Sequence, residues 1–265
     1  MDHHYILCPL LLILHMFCCC QGTTAANQSQ FFTLMRTSLS GNLLSNWDVS
    51  KDQNFCNYQG VGCNNQGYVE KIDISGWSLS GQFPEDVCSY LPELRILRLG
   101  HNNLHGSFPS SITNCSLLEE LEMSSAYLTG SLPDLSPLNS MRSLDLSYNY
   151  FQGNFPVSFT NLTNLEMLNF NENDGFNFWQ LPENISRLTK LQTVILTTCK
   201  LHGRIPASIG SMTSLTDLEL SGNYLVGKLP SELGQLKNLK QLELYYNELE
   251  GEIPQEFGNL TDLLI

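Results

Sequence analysis

Basic residues are scarce in this 265-residue chain, where 13 Lys and Arg stand against 26 Asp and Glu and leave a formal net charge of −13. A surface so acidic repels phosphate backbones and anionic lipid, which argues against nucleic acid and for a neutral or basic partner. Long apolar runs are missing too. The run over residues 6–17 is broken by Pro9 and His15 and is about twelve residues long, where a membrane span needs about twenty. No later stretch comes closer, so no membrane-crossing segment is expected. The sequence has no GxGxxG, GxxxxGK[ST], GxSxG or HExxH, which leaves nucleotide, acyl-transfer and zinc-hydrolase chemistry without a foothold. It also lacks CxxC and any cluster of Cys and His, and His101 and His105 fall in a turn rather than on one helix face. Neither a metal nor a cofactor nor an enzyme activity is expected.

What is present begins with a leader. The apolar run is followed by small residues, with Thr23/Ala25 or Thr24/Ala26 as a small-x-small cleavage site, so residues 1–26 read as a secretory signal peptide. Its n-region, residues 1–5, departs from the usual pattern in having no Lys or Arg. Cys8, Cys18, Cys19 and Cys20 sit in this leader, and Cys56, Cys63, Cys88, Cys115 and Cys199 remain after it. An odd number in an oxidising compartment leaves one thiol over. Sequons at Asn27, Asn114, Asn161, Asn184 and Asn259 agree with secretion and mark expected glycosylation sites.

A repeat occupies the rest. Phe83-Pro84, Phe108-Pro109, Leu132-Pro133, Phe155-Pro156, Leu181-Pro182, Ile205-Pro206, Leu229-Pro230 and Ile253-Pro254 define eight units, their prolines 25, 24, 23, 26, 24, 24 and 24 residues apart. In seven units a Gly stands three residues before the Pro, the first being Gly81 and the last Gly251. Upstream lies L-x-L-x-x-N-x-L, as in Leu144-Asp145-Leu146-Ser147-Tyr148-Asn149-Tyr150-Phe151. The two leucines of L-x-L point to one side of a short strand and the residue between them to the other. One such strand cannot bury its apolar row alone. Stacked about 4.8 Å apart, successive strands form a parallel sheet over a shared core, as in a solenoid. The Asn positions (Asn102, Asn149, Asn173, Asn223 and Asn247) form a ladder that satisfies backbone groups of the neighbouring coil, with Trp77, Ala126 and Cys199 in the other three units. The Gly permits a tight path, and the Pro prevents a helix from running on.

Residues 27–67 lack the repeat and read as a cap, opening with a short helix over residues 27–39 that carries Phe31, Met35 and Leu39 on one face and ends near Gly41. Such a cap covers the leucines of the first coil. Residues 68–265 hold the eight repeats. No matching cap follows them, and Leu244, Leu249, Ile253, Phe257, Leu260 and Leu263 are expected to lack cover, so that this end frays or self-associates.

The G-x-[IFL]-P unit resembles the plant-type leucine-rich repeats of receptor kinases and receptor-like proteins. The cap segment Cys56-Asn57-Tyr58-Gln59-Gly60-Val61-Gly62-Cys63 is similar to their N-terminal domain, with Tyr58 where Trp is more usual. Asp86-Val87-Cys88-Ser89-Tyr90, Leu168-Asn169-Phe170-Asn171-Glu172-Asn173 and Thr198-Cys199-Lys200-Leu201-His202-Gly203 look like the receptor kinases for C-terminally encoded peptides, the CEP hormones. The resemblance implies an α/β solenoid: a right-handed superhelix with a parallel sheet on its concave face and an N-terminal cap. It implies the extracellular ligand-recognition module of a peptide-hormone receptor, acting in the apoplast or at the cell surface with a leucine-rich-repeat co-receptor. Such receptors continue through further repeats, a membrane helix and a kinase, so the chain reads as a truncated form. The alternative is a free-standing secreted protein like the polygalacturonase inhibitors, whose C-terminal cap has no counterpart here.

Within that frame the outward residues of each L-x-L form a column: Asp73, Arg98, Glu122, Asp145, Asn169, Ile195, Glu219 and Glu243. Five of these eight are acidic, which suits an extended peptide carrying Arg, Lys or His and equally suits a solvated acidic face. Tyr148 and Tyr246 at the strand ends add aromatic anchors. The fifth unit is two residues longer, and its Phe176, Phe178 and Trp179 either form a contact patch or fold back to fill the space that Leu and Gly occupy elsewhere. Cys56 should pair with Cys63. Cys88 and Cys115, four and six residues after their prolines, fall on one flank of adjacent coils within bridging reach. Cys199 is left as a buried, unpaired donor in the ladder.

Overall fold

The computed structural model describes residues 27–264; the leader expected over residues 1–26 lies outside them. Residues 27–38 are helical and bury Phe31, Phe32 and Met35, and Leu39 follows in the short strand Leu39–Ser40. Phe32 joins the expected apolar face, where its ring meets those of Trp47, Phe55 and Tyr58 at 5.1–5.3 Å. Trp47 in turn donates its indole N–H to the carbonyl of Gln59 at 3.0 Å. Tyr58, in the place of the more usual Trp, reaches Asp52 O with its hydroxyl at 2.7 Å. The cap strand Val61–Cys63 pairs antiparallel with Val69–Asp73 and joins the cap to the first coil.

From there the coils stack. A nine-stranded sheet runs through Val61–Cys63, Val69–Asp73, Ile96–Arg98, Glu120–Glu122, Ser143–Asp145, Met167–Asn169, Thr193–Ile195, Asp217–Glu219 and Gln241–Glu243, in sequence order. All pairings after the first are parallel. The inward residues Ile72, Leu97, Leu121, Leu144, Leu168, Val194 and Leu218 are almost completely buried, and the burial pattern alternates as a one-sided strand requires.

On the opposite flank most repeat prolines open a short 3₁₀ helix, at Ser110–Asn114, Val157–Asn161, Glu183–Arg187, Ala207–Ser211, Ser231–Gln235 and Gln255–Asn259. The first unit has the α-turn Val87–Tyr90 instead. The proline therefore begins a helix as well as preventing one from running on, since its missing N–H falls where a helix has no internal acceptor to offer. Cys88 and Cys115 lie on this flank and are bonded, with Cα atoms 5.3 Å apart. Cys56–Cys63 closes the cap.

The ladder is formed. Asn223 donates to the carbonyls of Leu196, Leu220 and Ser221 at 2.7–3.1 Å and accepts from Cys199 N and Leu201 N, and Asn149 has the same pattern three coils earlier. Cys199 acts as a one-proton substitute, its thiol 3.0 Å from Phe170 O and 3.3 Å from Thr197 O. Where Trp77, Ala126 and Cys199 replace Asn, the residues that follow (Ser78, Tyr127 and Lys200) have positive φ, a strain absent after Asn102, Asn149 and Asn223.

The fifth unit divides its aromatics. Phe176 and Trp179 are buried, with Trp179 stacked on Phe155 at 3.7 Å and its N–H on Cys199 O at 2.8 Å. Phe178 does not fold back: it is 59% exposed and lies edge-on to Tyr224 at 4.9 Å. Of the three rings in the longer loop, two turn inward and one outward.

In the last coil the expected lack of cover does not hold for Leu260, which is buried; Leu244, Leu249, Phe257 and Leu263 are partly buried, and Ile253 and Leu264 are exposed. Leu264 N donates to Lys240 O at 2.7 Å, as Lys240 N does to Thr216 O one coil earlier.

Candidate functional site

Strand register places Asp73, Arg98, Glu122, Asp145, Asn169, Ile195, Glu219 and Glu243 opposite one another in one unbroken row on the outer face of the parallel sheet. Beside it runs a second row, Lys71, Ile96, Glu120, Ser143, Met167, Thr193, Asp217 and Gln241, two residues earlier on each strand.

The acidic members are not equivalent. Arg98 forms a fork onto Glu120 at 2.6 and 3.0 Å and reaches Asp73 at 3.1 Å, and Lys71 closes on the same Asp73 oxygen at 3.2 Å. Burial works to raise the Asp73 carboxyl, but these two cations outweigh it and hold it below the usual carboxylate range. Glu122 turns back onto the chain, accepting from Gly100 N at 3.0 Å, Ser75 Oγ at 3.0 Å and Ser124. A Cβ at position 100 would displace this carboxylate from its present place. Asp145 is raised by burial, although Ser147 and Asn169 donate to it. The charge of Asp73, Glu122 and Asp145 is thus largely spent within the protein.

At the far end the situation reverses. Asp217, Glu219 and Glu243 share adjacent strands, and no ion pair reaches any of them among the described residues. Their neighbours are amide and hydroxyl: Gln241 bridges Glu219 at 2.8 Å and Glu243 at 3.0 Å, and Ser221 lies 3.4 Å from Glu243. Burial and the Glu243 charge raise the Asp217 carboxyl; burial, Asp217 and Glu243 raise that of Glu219. Negative charge available to a ligand is therefore concentrated here rather than spread along the column.

Tyr148 and Tyr246 stand at the strand ends with φ of 53° and 54°, at the position before the ladder Asn, which is left-handed in every unit. Both rings are exposed. The expected column did not include Tyr127, Tyr150, Glu172, Asp174 or Asp217. The same repeat phase locates them: the two tyrosines and Asp174 directly follow the ladder position, and Glu172 precedes it. Asn27, Asn114, Asn161, Asn184 and Asn259 are all exposed, the last four on the 3₁₀ flank. No group of three or more His, Cys, Asp or Glu side chains suited to a metal occurs among the described residues.

A one-sided parallel sheet, a flank of short helices and a polar ladder between them define a leucine-rich-repeat solenoid. The family description "leucine-rich repeat region" matches residues 111–257, and "leucine rich repeat N-terminal domain" matches residues 25–64. The chain belongs to the leucine-rich-repeat family. Among curated relatives it is similar to receptor protein-tyrosine kinase CEPR1 of Arabidopsis thaliana, with 54% identity over 205 residues, which is 74% of this chain and 21% of that protein. Among solved structures it resembles the Arabidopsis receptor kinase HAESA in complex with the peptide hormone IDA and the co-receptor SERK1, at 32% identity and a TM-score of 0.74. That match covers 89% of this chain and 44% of the HAESA chain in that structure. The ectodomain of GASSHO1/SCHENGEN3 from Arabidopsis thaliana, in complex with CASPARIAN STRIP INTEGRITY FACTOR 2, matches at 34% identity and TM-score 0.73, over 82% and 26% of the two chains. The chain thus spans about a fifth of the length of CEPR1 and under half of the HAESA chain in the solved complex.

Proposed function

We propose that this chain is an extracellular ligand-recognition module of a CEP-receptor-like peptide-hormone receptor, which binds an extended basic peptide across its parallel sheet and acts with a leucine-rich-repeat co-receptor. The carrying observation is the in-register row from Asp73 to Glu243, whose unpaired charge lies at Glu219 and Glu243, with Asp217 beside them in the neighbouring row. A basic residue seated there replaces water next to carboxylates that have no cation of their own, so attraction is gained without breaking an existing ion pair. Glycosylation at the five sequons and removal of residues 1–26 in secretion belong to the same reading.

Calorimetric titration with a synthetic CEP hormone peptide tests it. The Glu219→Gln/Glu243→Gln variant should bind at least about tenfold more weakly, a loss of about 1.4 kcal/mol or more. Affinity should also fall with added salt. Because Asp217 and Glu219 have raised pKa values, their charge disappears as pH falls through those values, before that of ordinary carboxylates. Binding should weaken over the same interval, and binding near it should release protons. Affinity unchanged by the double substitution, salt and pH would contradict the reading.

A further inference from the structure

The rim of the sheet in the third to fifth coils holds a hollow of about 360 Å³ lined by Ser125, Tyr127, Tyr148, Tyr150, Glu172 and Asp174. Three tyrosines and two carboxylates meet there, and no Lys or Arg contributes to the wall. The three tyrosines are each more than half exposed, and the rings of Tyr127 and Tyr150 lie 6.2 Å apart at a tilt of 32°. Tyr148 is steadied through its hydroxyl, which accepts from Asn171 Nδ2 at 3.2 Å, and its left-handed backbone fixes where its ring projects. Glu172 has only the Thr198 hydroxyl, 3.2 Å away, and Asp174 has no ion pair among the described residues. Glu172 of the wall follows Asn169, the concave-row residue that ends its strand, by three residues, so the hollow lies just past the end of that strand.

We propose that this hollow is a subsite for one cationic side chain, the guanidinium of arginine first and the ammonium of lysine second, projecting from a ligand on the concave face. Ring faces attract a cation through their quadrupole, and the Glu172 and Asp174 carboxylates supply its counter-charge. A planar guanidinium can stack on one tyrosine while its N–H groups fork onto a carboxylate, which an ammonium cannot do. A neutral apolar side chain gains the rings but leaves two carboxylates desolvated beside it. The subsite rests on the peptide-recognition reading for the rest of its ligand, but the cation preference of the hollow itself does not.

The test therefore uses a small probe in place of a hormone. The full chain carrying ¹³C-labelled tyrosine rings is titrated with N-acetyl-arginine methylamide and separately with its neutral isostere, N-acetyl-citrulline methylamide. Arginine should shift the signals of Tyr127, Tyr148 and Tyr150 saturably, in the millimolar range expected of one cation–π contact with a counter-charge. Citrulline should bind at least about tenfold more weakly, and Glu172→Gln/Asp174→Asn should remove the difference between the probes. Both substitutions are at exposed positions, so the fold is retained, and the unshifted signals of Tyr58 and Tyr68 verify this. Equal response to the two probes, or shifts at Tyr245 and Tyr246 as large as those in the hollow, would overturn the assignment. A hormone that fails to bind while arginine still selects these three tyrosines would count against the receptor reading alone.

Discussion

Cys199 shows how much one position can be asked to do. It takes an asparagine's place in the ladder with a single proton to donate, and burial pushes its thiol well above the ordinary cysteine range. The donor form is thereby locked in, and nucleophilic attack by the thiolate is suppressed. Iodoacetamide should leave Cys199 unmodified in the native chain and label it only across the unfolding transition, as followed by mass spectrometry. Cys199→Ala removes the donor from Phe170 O and should lower stability by about 1–2 kcal/mol in denaturant titration. Native-state labelling at the rate of a free thiol would show that the position is open. The ladder identities and the Asp73-to-Glu243 column were legible in the sequence because both follow from counting along a fixed period. Which carboxylates remain unpaired was not legible. That depends on how Arg98, Lys71 and the serines after each strand fold back on them, and a period carries no information on rotamers.

The fifth coil, which is two residues longer than most, is the element where the repeat rule gives way. Length alone signals a bulge, but whether three aromatics turn in or out depends on the volume left between neighbouring coils. Phe176 and Trp179 fill it, and Phe178 is left on Tyr224. Trp179→Ala would remove the stack on Phe155 and the bond to Cys199 O together. It should cost about 3–5 kcal/mol, whereas Phe178→Ser should change stability by under about 0.5 kcal/mol. Equal effects of the two in thermal unfolding would mean that the division of inner and outer rings is wrong. The 3₁₀ helices were likewise not read from the sequence. Proline and glycine in each unit were visible as helix breakers, but a proline also starts a helix well, and only the coil geometry decides between the two roles.

At the scale of the whole molecule the proposed recognition face and most of the sequons lie on different flanks. Four of the five sequons lie on the 3₁₀ side, and the sheet face carries none, so bulk added to the first should spare recognition and bulk added to the second should block it. Glu219→Asn completes a sequon with Leu220 and Ser221 in the middle of the unpaired carboxylates. Where glycan is attached there, hormone binding should fall below detection while the melting temperature stays near that of the parent chain. Thr163→Ala, which removes the Asn161 sequon, should leave affinity unchanged. Retained binding by the chain glycosylated at position 219 would separate ligand recognition from this face.

The most direct measurement is a contact map of the bound peptide. A synthetic CEP peptide carrying a photo-reactive benzophenone at successive positions is cross-linked to the chain, and the adducts are located by peptide sequencing. Adducts should fall on the strands from Glu120–Glu122 to Gln241–Glu243 and on the adjoining tyrosine rim, moving along the coils in step with the probe position. Adducts confined to the 3₁₀ flank between Ser110–Asn114 and Gln255–Asn259 would contradict recognition by the concave sheet.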